Sequence, residues 1–188
     1  MKIRESGMPK EDLWNSFFDV PKILSEMEID KKVEHLAEFG CGYGTFTLEA
    51  AKAISGLLFA FDIVEKLTDM VSAKTSGMDS VAIINRDFEA TGTGLPKKSI
   101  DYLMLFNIMH HDKPEVIYKE AFRILKPDGK VGIIHWRNDI AVPAGLKISI
   151  RPKPEDLLEQ FDPEKFSVYK DPFVLEPYHF GIILQKIS

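Results

Sequence analysis

Short apolar segments alternate with amphipathic segments through residues 33–136, and this alternation constrains the fold more than any other feature. Five segments have the length and apolar character of buried strands: residues 33–39, 56–61, 81–85, 100–107 and 130–136. Three segments between them have apolar side chains at helical spacing: residues 43–54, 64–74 and 114–125. Strands that are apolar along their whole length belong in a parallel sheet covered by helices on both faces. The predicted fold class is therefore α/β, doubly wound, with a mostly parallel sheet.

The flanking segments complete this prediction. Residues 10–28 have the spacing of one or two opening helices, and residues 154–161 that of a short one. Two final strand-like segments, residues 166–169 and 178–186, follow each other without a helix between them. We therefore expect an antiparallel pair at the sheet edge, which brings the sheet to seven strands. Residues 137–151 form a long loop, and loops of this length are often functional.

Composition excludes several classes of protein. A chain of 188 residues favours one domain. Its 24 Lys and Arg against 29 Asp and Glu give a net charge of −5, so nucleic acid is an unlikely partner. The single cysteine, Cys41, excludes an intrachain disulfide, and no cluster of thiols or carboxylates has the spacing of a metal site. Without a signal-like or membrane-spanning apolar run, we expect a cytoplasmic protein with no membrane contact, as a monomer or homodimer.

A glycine-rich loop follows the first predicted strand, in the stretch Glu38-Phe39-Gly40-Cys41-Gly42-Tyr43-Gly44. In a doubly wound sheet this turn lies at the carboxyl edge, where glycines let a ligand touch the backbone. A tight turn needs one glycine, whereas three at alternate positions indicate a binding loop. The dinucleotide fingerprint has another glycine three residues after its second, and here Thr45 stands at that position.

Asp62 stands at the carboxyl end of the second predicted strand, eighteen positions after Gly44. A carboxylate there accepts hydrogen bonds from the hydroxyls of a ribose. Asp is also favoured as the N-cap of a following helix, and the two roles are compatible. The loop and the carboxylate together predict a site for a cofactor that contains a ribose.

These motifs resemble the class I S-adenosylmethionine-dependent methyltransferases, a family with a Rossmann-like domain. The spacing of Gly40, Gly42 and Gly44, with Glu38 before them, is similar to the family's first motif. The resemblance extends to three further stretches: Asn85-Arg86-Asp87-Phe88, residues 100–111 and Leu125-Lys126-Pro127-Asp128-Gly129. It implies S-adenosyl-L-methionine as cofactor and S-adenosyl-L-homocysteine as product. The implied cofactor contacts are Glu38, Gly40, Cys41, Gly42, Gly44, Asp62, Ile63, Asp87, Phe88 and Asn107.

The resemblance also implies how one domain over residues 1–188 is divided. Residues 1–30 would be a helical lid, residues 33–136 the cofactor-binding core, residues 137–161 a substrate loop and helix, and residues 162–188 the edge strands. The implied reaction is transfer of a methyl group to an O, N, S or C nucleophile of a small molecule by in-line displacement. A methyltransferase acting on protein or RNA, and a non-catalytic module that only binds the cofactor, stay open.

Three histidines near the carboxyl edge are candidates for a general base: His111, His110 and His135. His111 is the first choice, since it lies in the loop that faces the transferred methyl in this family. A hydrogen-bonded structural role is equally compatible with any of them. The candidate substrate contacts are Trp136, which can also be core, and Arg137 and Arg151, which suit a carboxylate or phosphate. Asn107-Ile108-Met109-His110 lacks the Asn/Asp-Pro-Pro-aromatic motif of enzymes that methylate planar amino groups.

Overall fold

A computed structural model describes residues 8–110 and 113–187 of the chain. The strands are β1 (His35–Phe39), β2 (Leu57–Asp62), β3 (Val81–Asn85), β4 (Ile100–Phe106), β5 (Leu125–Trp136), β6 (Phe166–Leu175) and β7 (His179–Lys186). The helices are α1 (Glu11–Asn15), α2 (Val20–Glu26), α3 (Thr47–Ala53), α4 (Glu65–Lys74), α5 (Phe88–Thr91), α6 (Pro114–Ile124) and α7 (Pro154–Glu159). Residues Ile148–Ile150 form a 3-10 turn.

The strands form one sheet in the order β3-β2-β1-β4-β5-β7-β6. All neighbours among β1 to β5 pair in parallel, whereas β7 pairs antiparallel with both β5 and β6. The predicted fold class and the antiparallel pair at the edge are confirmed. The reversed strand is β7, which lies between β5 and the edge strand β6. The strand order reverses between β1 and β4, and this switch point is where sheets of this type bind ligands.

Both faces of the central strands are buried, as their apolar sequences predict. In β4, Tyr102, Met104 and Phe106 point to the core shared with α2 and α3. Leu103 and Leu105, on the opposite face, pack in the core shared with α6 and α7. Successive side chains of a strand point to opposite faces, so a strand buried on both sides must be apolar throughout.

Helix α3 begins at Thr47, four residues later than the pattern predicts. Gly44 has φ +77, a left-handed conformation that a right-handed helix excludes. The polypeptide from Gly40 to Phe46 is therefore a loop, and the binding loop is longer than predicted.

Two strands, β5 and β6, extend well beyond their predicted lengths. β5 begins at Leu125 rather than after the predicted turn at residues 126–129. Leu125 pairs with Ile100 and Lys130 with Tyr102, so the expected turn is an irregularity inside the strand. β6 continues to Leu175 through Pro172, and an edge strand tolerates proline because one of its sides has no ladder partner.

The short helix α5 was not predicted. The Asp87 carboxylate accepts a hydrogen bond from the Ala90 backbone N–H at 3.1 Å, which caps a helix of only one turn. No helix within the described residues is long and apolar enough to cross a membrane.

Candidate functional site

A cavity of about 860 Å³ opens at the carboxyl edge of the sheet, at the switch point between β1 and β4. Its walls include the glycine loop after β1, Asp62 at the end of β2 and Asn107 after β4. This volume lies in the upper part of the roughly 300–1,000 Å³ range of small-molecule sites. The cavity can therefore take a nucleotide-sized molecule together with a second small molecule.

The glycine loop forms the floor of the cavity. The backbone N–H groups of Gly40 and Cys41 donate to the Phe61 carbonyl oxygen at 2.8 and 3.0 Å, which ties the loop to β2. A Cβ on Gly40 would lie 2.7 Å from Ile108 Cγ2, so packing requires glycine there. Among residues 8–110 and 113–187, a Cβ on Gly42 would meet only the Met8 side chain, at 3.5 Å or more. Gly42 therefore leaves space on the cavity side of the loop rather than inside the core.

The Asp62 carboxylate holds this loop in place. One carboxylate oxygen accepts from the Gly42 N–H at 2.9 Å and the other from the Val64 N–H at 2.9 Å. The side chain is buried but lines the cavity. An ionised carboxylate has about four acceptor sites. Two are used by the backbone, and the others remain for a ligand.

Glu38, the acid before the glycines, is buried in the cavity wall. Burial raises its pKa to about 8, the Thr47 hydroxyl opposes this rise, and the Asp62 charge adds to it. The Thr47 hydroxyl donates to Glu38 at 2.6 Å. The Glu38 carboxyl is therefore mostly neutral at pH 7.

Replacing Glu38 tests this protonation state. The folded protein keeps the proton up to about pH 8, whereas the unfolded chain loses it near 4.5. Stability from Glu38 is therefore complete below pH 4.5 and is lost as pH rises towards 8. In Glu38→Gln, we expect the pH-dependent loss over this interval to shrink by roughly 3–5 kcal/mol, measured by urea unfolding across the pH series. The exposed control Glu65→Gln should retain it, and an unchanged slope in Glu38→Gln would contradict the buried acid.

Asn107 presents the clearest sign of a ligand. It follows β4 with φ +59, and its backbone N–H donates to the Ile134 carbonyl at 2.7 Å. The side chain is 8% exposed and lines the cavity. Within residues 8–110 and 113–187, neither its amide oxygen nor its amide nitrogen has a hydrogen-bond partner. Each buried unpaired group costs about 1–3 kcal/mol, so this amide is placed to bind a ligand.

The histidine candidates occupy different positions. His111, the first choice, lies outside the described residues. His110 lines the cavity, and its Nδ1 lies 3.3 Å from His135 Nε2. His135 is completely buried, and its pKa is well below its usual range because of burial and the neighbouring His110. His135 is therefore placed behind His110 rather than in the cavity, and its position does not fit direct contact with a substrate.

A narrow cleft adjoins the cavity and shares Gly40, Asp62 and Ile108 with it. The predicted cofactor contacts Ile63, Asp87 and Phe88 line this cleft. Asp87 is exposed, whereas Phe88 is buried with its ring 4.3 Å from that of Phe39. The structure thus brings these residues to one place beside the main cavity, with Phe88 also serving the core.

Cys41 is buried and lines the cavity. Its pKa is raised because of burial, with smaller contributions from Glu38 and Asp62. The thiol is therefore protonated at neutral pH, which suits a small side chain beneath a ligand rather than a nucleophile.

The predicted substrate contacts separate into two groups. Trp136 lines the cavity, but Arg137 and Arg151 are absent from its described walls. Arg137 donates to both carboxylate oxygens of Asp139, at 3.0 and 2.8 Å. Arg151 is buried and donates to the backbone carbonyls of Leu146, Arg137 and Ile140 at 2.7–3.0 Å. Both guanidinium groups thus have hydrogen-bond partners within residues 137–151, and their contact with a substrate anion stays a prediction.

Several wall residues were not predicted. They are mostly apolar and come from separate segments: Met8, Trp14, Phe46, Leu67, Met70, Phe106 and Leu146. Phe46 and Phe106 directly follow or end predicted motifs, which is a usable signal. Trp14 and Leu146 have no such signal, because their place in the wall depends on how α1 and residues 137–151 pack.

His179 on β7 is a further buried histidine, 4.6 Å from the Phe18 ring and 4.3 Å from Trp136 between ring centroids. Neither ring nitrogen has a hydrogen-bond partner in the described part of the chain. Burial, with a smaller contribution from Arg151, lowers its pKa to about 3. The neutral ring is therefore part of the aromatic core.

This histidine predicts acid sensitivity. Its stabilising contribution is present above the unfolded pKa of 6.5 and is lost as pH falls towards 3. We expect His179→Phe to exceed the wild-type protein in stability by about 2–3 kcal/mol at pH 4, with a much smaller difference at pH 7. Thermal unfolding at both values measures this. His35→Gln, at the amino end of the interior strand β1, is the control because its side chain is 37% exposed. An equal loss in wild type and His179→Phe at pH 4 would contradict the assignment.

The strand order and the loop between β1 and α3, with a carboxylate ending β2, define a class I, Rossmann-like methyltransferase domain. A family model described as a methyltransferase domain matches residues 37–133, just over half of the 188 residues. The chain belongs to this family. The predicted membership of the S-adenosylmethionine-dependent class I methyltransferases is confirmed.

Curated relatives are similar over part of the chain. A methyltransferase-like protein of Schizosaccharomyces pombe is 28% identical over 127 residues, which are 68% of this chain and 47% of that protein. The demethylmenaquinone methyltransferase of Lactobacillus johnsonii is 31% identical over 98 residues, 50% of this chain and 40% of that enzyme. The chain thus spans about half the length, or less, of these relatives.

Solved structures share the fold over nearly the whole chain. A S-adenosylmethionine-dependent methyltransferase from Aquifex aeolicus superposes with a TM-score of 0.82 at 19% identity, covering 100% of this chain and 97% of that one. The N-methyltransferase NodS from Bradyrhizobium japonicum, solved with S-adenosyl-L-homocysteine, has a TM-score of 0.68 at 14% identity, covering 97% and 95%. At these identities the likeness establishes the fold.

Proposed function

We propose that this chain transfers a methyl group from S-adenosylmethionine to a small-molecule acceptor at the cavity between β1 and β4. The observation that carries the proposal is the buried Asn107 amide, which lines the same cavity as Asp62 and has no partner among the described residues. A buried polar group is therefore placed for a ligand beside the glycine loop, where Gly42 leaves space on the cavity side.

The residues present fit the cofactor. Gly42 and the Asn107 amide would hold its amino-acid portion, and the free acceptor sites of Asp62 would hold the ribose hydroxyls. Ile63 and Asp87 would contact the base in the adjoining cleft. When bound, S-adenosylmethionine supplies a methyl group whose carbon–sulfur bond breaks, with the electron pair staying on sulfur, as the acceptor atom bonds to that carbon.

The chain's own contribution is alignment, exclusion of water and removal of a proton. Alignment alone can lower a barrier by about 7–11 kcal/mol. The apolar walls formed by Phe46, Phe106 and Trp136 keep water from the reacting atoms. The imidazole of His110, which lines the cavity, takes the proton that an O–H or N–H acceptor releases.

A small-molecule acceptor is favoured by the acidic chain and by the partly buried cavity. The demethylmenaquinone methyltransferase of Lactobacillus johnsonii is named for a small-molecule acceptor, which supports this choice. RNA or protein would need an open, basic or extended surface at the cavity mouth.

A labelling experiment tests the proposal. The purified protein is incubated with S-adenosylmethionine carrying a radioactive methyl group and with cell extract separated into small molecules, RNA and protein. We expect label in the small-molecule fraction. His110→Ala should lower the rate by about 100-fold or more while S-adenosyl-L-homocysteine still binds, and the matched variant His35→Ala should not. Label confined to RNA or protein would overturn the acceptor class, and no label in any fraction would overturn catalysis.

A further inference from the structure

The part of the cavity beyond the glycine loop is an aromatic surface. Four rings line it, from α1, from the residue before α3, from the end of β4 and from the end of β5: Trp14, Phe46, Phe106 and Trp136. The Phe46 and Phe106 rings are 4.9 Å apart at 79°, and those of Trp14 and Trp136 are 6.0 Å apart at 69°. Each pair packs edge to face, which leaves Phe46, Phe106 and Trp136 mostly buried at the cavity wall and Trp14 partly accessible. We call these four rings the aromatic wall.

The charges around the cavity are unfavourable for an anion. Among its walls within the described residues, the charged or basic side chains are Glu38, Asp62, Lys66 and His110. Lys66 is an exposed residue in the first turn of α4, the helix that follows Asp62. A carboxylate or phosphate placed against the aromatic wall would be desolvated without a lysine or arginine from that wall, which is costly.

Arg151 lies beside the aromatic wall, and its guanidinium group already donates hydrogen bonds to backbone carbonyls. The Arg151 guanidinium carbon lies 5.6 Å from the Trp136 ring centroid. Four hydrogen bonds join it to the carbonyl oxygens of Leu146, Arg137 and Ile140, out of the five N–H donors that arginine has. Freeing it for a substrate anion would unpair these carbonyls. Arg151 therefore shapes the wall by holding Leu146 in it, and does not read charge.

A protonated amine has no lone pair with which to accept a methyl group, so an amine acceptor must react in its neutral form. This requirement and the charges of the walls together fit an acceptor without negative charge.

We propose that the methyl acceptor is an aromatic molecule without negative charge, whose ring packs against the aromatic wall and whose O–H or N–H group faces His110. This inference rests on the proposed function for its methyl donor. It narrows that function from any small molecule to one chemical class.

Matched probes separate charge from shape. 3-Hydroxy-2-naphthoic acid and its methyl ester have the same fused ring and hydroxyl, and differ in one negative charge. Each is titrated by calorimetry into the wild-type protein saturated with S-adenosyl-L-homocysteine. We expect the uncharged ester to bind at least ~10-fold more tightly than the acid. Methyl transfer to the ester, followed with labelled S-adenosylmethionine, should exceed transfer to the acid by a similar factor.

Variants locate the binding surface. Trp14→Ala should weaken ester binding by about 10-fold and leave the affinity for S-adenosyl-L-homocysteine unchanged. Trp14→Phe, which keeps a ring, should restore most of the loss. The control is Leu13→Ala on the same helix, where the side chain is 43% exposed and lies outside the cavity wall.

The experiments distinguish a wrong acceptor class from a wrong cofactor site. Equal or tighter binding of the acid, or no binding of the ester to a protein that binds S-adenosyl-L-homocysteine, overturns the acceptor class while the cofactor site stands. No binding of S-adenosyl-L-homocysteine overturns both. Unchanged ester affinity in Trp14→Ala overturns the aromatic wall as the surface that binds the ring.

Discussion

Gly42→Val is expected to abolish S-adenosylmethionine binding, by more than ~100-fold, in a protein that still folds. Gly42 has φ +54, and in the described part of the chain a Cβ there would meet only Met8 Sδ at 3.5 Å and Met8 Cε at 3.7 Å. The valine methyl groups would therefore project on the cavity side of the loop. The left-handed backbone costs a valine roughly 1–2 kcal/mol, which a domain of this size tolerates.

Gly77→Val is the matched control for that experiment. Gly77 has φ +86, and a Cβ there would meet no atom of the described residues within 4 Å, so the variant carries the backbone cost without entering the site. Calorimetry gives the binding constants, and thermal unfolding shows that both variants fold. A folded Gly42→Val protein with wild-type affinity would show that the cofactor does not lie over this loop.

Asp62→Ala is the second large effect we expect. The substitution removes the acceptor of the Gly42 and Val64 N–H groups, each at 2.9 Å, together with the oxygens proposed for the ribose. S-adenosylmethionine affinity should fall by about 10–100-fold, since each charge-assisted hydrogen bond contributes about 1.5–3 kcal/mol. Stability should also fall, because two partly buried N–H groups lose their acceptor.

The control for this variant is Asp69→Ala, an exposed position on α4. It removes the same charge a few residues away and should change neither affinity nor stability by a measurable amount. Equal affinity of Asp62→Ala and the wild-type protein in calorimetry would remove Asp62 from the binding site, whatever happens to stability.

The fold and the polar part of the cavity, with the glycine loop, Asp62 and Asn107, were predictable because their sequence signals are local. The sheet is predicted by apolar segments of five to seven residues. Its ligand-binding edge is predicted by the glycines at alternate positions after the first of these segments. Asp62 and Asn107 follow from this, since residues that end parallel strands meet at one edge. The start of α3 was misplaced because the left-handed backbone at Gly44 is a property of the folded loop.

The apolar part of the cavity wall was less predictable because its residues come from distant segments of the chain. Trp14, Phe46, Phe106 and Leu146 meet only after α1 and residues 137–151 fold over the sheet. His135 and Trp136 are neighbours in sequence, but successive strand residues face opposite sides, and only Trp136 reaches the cavity. The carbonyl partners of Arg151 are backbone groups, which carry no sequence signal.

Titration of S-adenosylmethionine into the wild-type protein, with NAD titrated in parallel, tests whether the cavity between β1 and β4 binds this cofactor. We expect saturable binding of S-adenosylmethionine at one site per chain and no measurable binding of NAD. Binding of NAD without affinity for S-adenosylmethionine would contradict it.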